Sequence, residues 1–345
     1  MTVTSRVWLR RPATVALCTL VAFAVAWPIA ASAGAKNDPD AEHAVRLVQG
    51  TRTAAHHHDF SGVATVTWTT PKGTRQSAQV HVTDVGGSVA IAATDGNTVV
   101  DEGRRTYLKD HLGWTGLVVE PAARDLPAPD RRWQLSTDGT RTVAGRPATV
   151  VLATRPDGTP AQRIAVDDAT GLLLARDILG PRGKLERSVD FSTIDVRERE
   201  AAAIAPPAGV KTSTAEGLSS VPDGYRAPGS PAGFELMTRS RHPDGVLLFY
   251  SDGVFTASVF EQQGDLDWSA LPSGGTDTQL ADTRTRTYDE ASGDVAVWER
   301  NGLVYTCVTD APSDVFAHMV GALASDSRST PEAVVDFVLG PFGWG

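Results

Sequence analysis

The sequence reads as an α+β protein built from two β-rich units, and three observations lead there. Short apolar runs of two-residue period recur along most of the chain, separated by turn-forming clusters such as Asp95-Gly96-Asn97, Asp138-Gly139, Pro156-Asp157-Gly158 and Pro181-Arg182-Gly183. That is the pattern of antiparallel strands joined by tight turns, not of βαβ units. Residues 205–231 hold five prolines, four glycines and almost no large apolar side chain, a linker by composition. A length of 345 residues suits about two domains, and 41% apolar composition is enough to give each a core.

The first element is an export signal over residues 1–33. Arg6, Arg10 and Arg11 precede the apolar run from Ala13 to Ala26, and Ala31-Ser32-Ala33 offers small residues for cleavage after Ala33. The run is shorter than the ~20 residues a membrane span needs, so cleavage is expected, with an uncleaved anchor as the alternative. The composition changes with it. Loss of three arginines and no acid deepens the net charge from −9 to −12. Cys18 leaves too, so Cys307 is the only thiol and no internal disulfide can form; inside the strand-like Leu303–Val308 it reads as buried and structural.

From Gly34 to Ile204 extends the first unit. Asp38-Pro39-Asp40-Ala41-Glu42 is a helix start, with a capping acid, proline in the first turn and further acids. Ala44, Val45 and Val48 form its apolar stripe, and the helix is expected to fade near Gly50 or run on weakly to Ala55. Phe60 to Thr69 then alternates as a half-buried strand, and Val80 and Val82 begin its return. Further strands are expected at 88–93, 98–100, 105–108, 133–136, 148–154, 161–166, 172–178 and 185–195, while 117–128 breaks the pattern as a loop or short helix. After the linker, residues 232–345 form a smaller α+β unit. Its strands are expected at 246–251, 254–261, 283–287, 294–300 and 303–309. Val315, Phe316, Met319, Val320 and Leu323 recur at helical spacing, and Thr330-Pro331-Glu332 starts a last helix stopped by Gly340-Pro341.

Chemistry-bearing patterns are sparse. The acidic balance argues against nucleic acid, which needs a basic face. The chain contains no G-x-S-x-G, H-E-x-x-H, P-loop, G-x-G-x-x-G, EF-hand or C-x-x-C pattern. Its acids are scattered through turns, so no catalytic residue and no cofactor is assigned, and a hydrolase using two unmarked carboxylates is the distant alternative. His56-His57-His58-Asp59 is the one conspicuous cluster. Adjacent strand residues point oppositely, so it reads as a solvated connection and no metal is assigned. The tryptophans of the mature chain sit on or beside strands. Core packing is the default for each, and a curved sheet with aromatics on its concave face would also suit an apolar ligand cavity. The candidates for that cavity are Trp68, Leu108, Trp114, Trp133 and Leu135. Phe249, Phe255, Val259 and Phe260 read as core of the second unit.

Two sets of residues resemble a known family. The first is Val143-Ala144-Gly145-Arg146-Pro147, Pro156-Asp157-Gly158, the run Ile164-Ala165-Val166-Asp167-Asp168-Ala169-Thr170-Gly171-Leu172-Leu173-Leu174, and Leu185 to Phe191. The second is Pro231-Ala232-Gly233-Phe234 followed by Phe249-Tyr250-Ser251-Asp252-Gly253 and the strand to Glu261; Phe60-Ser61-Gly62 also fits. In this order and across a proline-rich linker they are similar to the MucB/RseB family of sigma-factor regulatory proteins. The resemblance does not reach the tail from Ser325 to Gly345. It implies a large domain like the LolA/LolB lipoprotein carriers, a bent antiparallel half-barrel covered by helices, with a small β-rich domain beside it. It also implies an exported, periplasmic or otherwise extracytoplasmic regulator that is not an enzyme. Such a protein binds the extracytoplasmic segment of a membrane anti-sigma factor and protects it from proteolysis, with a lipid-like ligand as a second partner. The alternative is a lipid or lipoprotein carrier of the envelope. Oligomers are possible on either reading.

Overall fold

The structure is a computed structural model that describes residues 38–70, 73–94, 96–101, 105–110, 113–118, 133–199, 212–214, 216–226, 228–242, 245–280, 282–291 and 293–325. The expected export signal, most of the 117–128 stretch, residues 205–211 of the linker and the expected helix after Thr330 lie outside the described residues.

Helix α1 spans Pro39–His57, capped by the Asp38 carboxylate, which accepts from the Asp40 backbone N–H at 3.0 Å. It runs through Gly50 and past Ala55 because tertiary packing supports it. Ala44 and Val48 are buried, and the helix lies along β7, β8 and β9. His56 and His57 end the helix and His58 opens the first strand.

The first sheet has twelve strands. In chain order they are β1 His58–Thr69, β2 Arg75–Val85, β3 Ser88–Ala93, β4 Thr98–Asp101, β5 Arg105–Asp110, β6 Gly113–Val118, β7 Gln134–Val143, β8 Arg146–Thr154, β9 Pro160–Asp167, β10 Leu173–Leu179, β11 Leu185–Glu198 and β12 Thr212–Thr214. Their spatial order is β12-β6-β5-β4-β3-β2-β1-β11-β10-β9-β8-β7, antiparallel except for the β12–β6 pair. The sheet is open, with β12 and β7 at its ends. Register shifts at Val63/Ala64, Thr137/Thr140, Ala153/Thr154, Leu173/Ala175 and Ile178/Leu179 bend it.

The second sheet has eight strands: β13 Glu216–Gly217, β14 Glu235–His242, β15 Gly245–Ser251, β16 Thr256–Gln263, β17 Thr276–Leu280, β18 Thr283–Glu290, β19 Gly293–Arg300 and β20 Leu303–Thr309, in the order β13-β14-β15-β16-β20-β19-β18-β17. Helix α2, Ser313–Ser325, covers it with Phe316, Met319, Val320 and Leu323, the stripe read from helical spacing. Cys307 is fully buried in β20, and burial pushes its thiol up to about 12.

Several local expectations change. Asp138-Gly139 is not a turn between strands. It is the bulge in the middle of β7, which continues to a two-residue turn at Ala144 and Gly145, with φ of +50° and +77°. A glycine after an Asp serves a bulge as well as a turn, so local chemistry does not separate them. Strands β6, β12, β13, β14 and β17 come in addition to those expected. The described part of the linker is also no free tether. β12 pairs with the first sheet, β13 with the second, and Leu218, Val221 and Tyr225 pack on the second sheet's core.

One apolar cluster runs through both sheets, joining Val48, Leu135, Val151, Ile164 and Ile178 to Phe255, Trp298, Phe316 and Met319. A second stays within the first sheet, with Phe60, Val66, Val82, Ile91, Val99 and Phe191. A third lies on the other face of the second sheet, under Leu266 and Leu271. On β7 to β9, then, the cover of the first sheet is α1 together with the second sheet itself.

Candidate functional site

The most elaborate constellation of side chains lies where the two sheets meet. It begins with the turn between β15 and β16. Asp252 accepts from the backbone N–H groups of Val254 at 2.9 Å and Phe255 at 2.7 Å. The Ser251 hydroxyl donates to the Phe255 carbonyl at 2.9 Å and accepts from Gly253 N–H at 3.0 Å. These bonds tie the turn to itself and fix Phe255, which is fully buried. Trp133, just before β7, closes on it from the first sheet. Its Nε1 donates to the Asp252 carbonyl at 3.1 Å, and its ring meets Phe255 edge-on at 5.6 Å.

Charge pairs flank this aromatic contact. Arg176 on β10 reaches Asp310 at 2.6 Å and lies 6.0 Å from the Phe255 ring centroid. In the amide orientation that satisfies both groups, the Gln162 oxygen accepts from Arg176 Nε and Nη2, each at 2.7 Å. Asp310 also accepts from Thr256 N–H at 2.7 Å. Arg187 on β11 reaches Asp294 at 3.1 Å and the Glu290 carbonyl at 3.4 Å. Glu186 accepts from Ser313 N–H at 2.8 Å and its hydroxyl at 2.7 Å, capping α2 from the opposite sheet. Arg155 pairs with Asp314 in the same helical turn at 3.4 Å. Burial holds Arg176 below the ordinary guanidinium range and pushes Asp294 up to about 6. Chemically this is a set of charges taken out of water in pairs, which fixes an orientation between the sheets.

The register sorts the expected cavity residues. Trp68 of β1 is the cross-strand neighbour of Arg187, Arg187 of Ile178, Ile178 of Gln162, Gln162 of Ala153, and Ala153 of Leu135. Trp68 and Leu135 therefore share one row, and therefore one face, with the seam residues between them. Leu135 and Trp133 belong to the apolar cluster that crosses to the second sheet, whereas Trp68 packs with the first sheet's own cluster. The row Val82, Ile91 and Val99 is also on that face; Leu108 pairs in register with Val99, and its side chain lies outside the described residues. Trp114 pairs in register with Lys109 of β5, and its side chain likewise lies outside the described residues. Of the residues expected in the second unit's core, Phe255 and Val259 are fully buried and Phe249 and Phe260 partly so.

Sequence reasoning misses Arg176, Arg187, Asp294 and Asp310. A signal is present for two of them. Arg176 interrupts the apolar strand Leu172–Leu179, and Asp294 opens the otherwise apolar Val295-Ala296-Val297-Trp298. Among the described residues, no group of three or more His, Cys, Asp or Glu side chains is placed to hold a metal.

No protein-family model and no curated protein matches the chain. Among solved structures it is similar to MucB, at 20% identity over 82% of this chain and 97% of that one, with a TM-score of 0.48. It is similar to the MucA/MucB complex of Pseudomonas aeruginosa at 20% identity over 81% and 98%, with a TM-score of 0.44. A LolA-superfamily protein of Nitrosomonas europaea is similar at 8% identity over 79% and 96%, with a TM-score of 0.21.

Proposed function

We propose that this protein is an exported binding protein of the cell envelope, cleaved after Ala33. It holds the extracytoplasmic segment of a membrane anti-sigma factor, protects it from proteolysis and so modulates an extracytoplasmic-function sigma factor. The observation that carries the reading is the fate of the residues behind the family resemblance. The Phe249-Tyr250-Ser251-Asp252-Gly253 piece forms the self-bonded turn that receives Trp133. In the other piece, Asp167 holds Arg146 at 2.7 Å and caps the Thr170 turn before β10, the strand that supplies Arg176. Both pieces therefore serve one two-sheet assembly, which supports the resemblance as one of architecture. Fixing two sheets against each other suits recognition of an extended partner across both. The acidic mature chain favours a basic partner segment. No helix among the described residues is long and apolar enough to cross a membrane.

The test uses the chain from residue 34 onward and the extracytoplasmic segments of single-span anti-sigma factors from the same organism. Addition of the protein slows digestion of one such segment by its site-one protease. Digestion rates unchanged for every segment overturn the proposal.

A second reading, a carrier of lipid or lipoprotein, is favoured by one feature. The row Val82–Ile91–Val99 extends the apolar inner face well beyond the seam toward Leu108. Native mass spectrometry of gently purified protein then finds a co-purifying lipid; a consistently empty species counts against it.

A further inference from the structure

We infer that docking of the two sheets takes up a proton at the cluster around Asp294, so that the seam closes in mild acid and loosens toward alkaline pH. This inference does not rest on the identity of any partner.

Asp294 stands at the start of β19 with its side chain one-tenth exposed (10%), and the guanidinium beside it is Arg187, also 10% exposed. The groups that face it come from four strands. Asp289 of β18 is its direct cross-strand neighbour. Glu186 of β11 is occupied with the first turn of α2. Arg176 of β10 is committed to Asp310, and Cys307 of β20 lies near enough for Asp294 to help raise its pKa. Three carboxylates, Asp294, Asp289 and Glu186, therefore gather around Arg187. Opposed like charges on neighbouring strands are unfavourable, and burial removes the water that would screen them. A bound proton relieves both costs.

The titration of the groups agrees with the geometry. Burial is the main cause that pushes Asp294 up to about 6, with Asp289 and Glu186 adding to it against the pull of Arg187. Burial also raises Asp289 and Glu290. Separating the sheets returns Asp294 to water and to its ordinary value of 3.8. The closed form thus binds the proton more tightly, and protons favour the closed form. Their stabilisation is complete below about pH 4 and is lost as pH rises through about 6. The sense is opposite to that of an ordinary surface salt bridge, which acid breaks.

Hydrogen exchange at the seam reads this directly. The amides of Thr256, Ala311 and Ser313 are bonded to Asp310, Thr309 and Glu186 at the junction. Their protection factors, corrected for intrinsic exchange, are expected to rise about tenfold from about pH 8 to about pH 5. Asp294→Asn, which has no proton to lose, is expected to show high protection at both values. Asp84→Asn, at a raised carboxylate in β2, should leave the seam response intact. Seam protection in the wild type that is flat or falls in acid overturns the inference, whether or not the asparagine variant folds. So does an Asp294→Asn chain that keeps the full wild-type response.

Discussion

Arg176 of the first sheet and Asp310 of the second meet at 2.6 Å, with their side chains only 6% and 12% exposed. Such a pair is costly to bury. Its benefit lies in geometry, because a guanidinium held by Gln162 and a carboxylate held by Thr256 can meet in one arrangement only. Apolar contacts between the same sheets would tolerate sliding, whereas this pair fixes the angle. The seam is therefore selective as well as cohesive.

Removing one partner should be far worse than removing both. Asp310→Ala leaves Arg176 charged and buried and takes the acceptor from Thr256 N–H, an expected loss of about 3–5 kcal/mol. Arg176→Met combined with Asp310→Leu is expected to lose less than Asp310→Ala alone. Urea denaturation followed by circular dichroism measures both. A single substitution that costs under about 1 kcal/mol would show that water reaches the pair.

Trp133 contributes a ring and a hydrogen bond, and the two can be separated. Trp133→Phe keeps an aromatic edge for Phe255 but loses the bond to the Asp252 carbonyl, for an expected cost of about 1 kcal/mol. Trp133→Ala also empties the space beside Phe255 and should cost about 3 kcal/mol or more. If the two variants unfold at the same urea concentration, the ring carries nothing and the hydrogen bond is the whole contact.

These residues mark how far the sequence can be read. The apolar stripe of α2 and the strands of β1, β8, β15 and β20 are legible because each is local, a period of 3.6 or 2 that burial imposes on neighbouring residues. Trp133 stands out as an aromatic beside a strand, but its partner is 119 positions away and no local pattern connects them. Asp138-Gly139 reads as a turn and is a bulge, since the two ask for the same residues. Asp294 shows only as an acid at the head of an apolar strand, and Asp310 not at all, because the role of a buried carboxylate is recognisable only through the arginine that comes to it from the other sheet.

Glu261 makes the stability of the second sheet depend on pH. It is fully buried on β16, where it accepts from the Arg226 N–H at 2.7 Å. Burial pushes it from 4.5 up to about 7, against the lowering effect of Arg226. A raised carboxyl favours the folded state only while it holds its proton. The contribution is complete below about 4.5 and is lost as pH rises through about 7. Glu261→Gln keeps an oxygen for Arg226 and cannot ionise. It should melt higher than the wild type at about pH 8, by on the order of 1–3 kcal/mol, and match it at about pH 5. Melting curves that stay parallel across this range would place the pH dependence elsewhere.

Two glycine-to-alanine substitutions should move stability in opposite directions. Gly62 lies in β1 beside the β11 strand, where a Cβ would run into the Thr193 carbonyl oxygen and stand 3.1 Å from the Ile194 Cα. Both obstacles are backbone, so no side chain can swing away. To make room, β1 must part from β11 next to the bulge at Val63/Ala64 that helps bend the sheet. Gly62→Ala is expected to destabilise by about 2–4 kcal/mol, or to prevent folding. Gly50 sits within α1, where an added methyl group would have nothing within 4 Å. There alanine removes backbone freedom from the unfolded chain and suits the helix, an expected gain of about 0.5–1 kcal/mol. Thermal melts of the two variants beside the wild type decide the matter. A harmless Gly62→Ala would mean that β1 and β11 are not pressed together at this point, and the bend of the first sheet would need another cause.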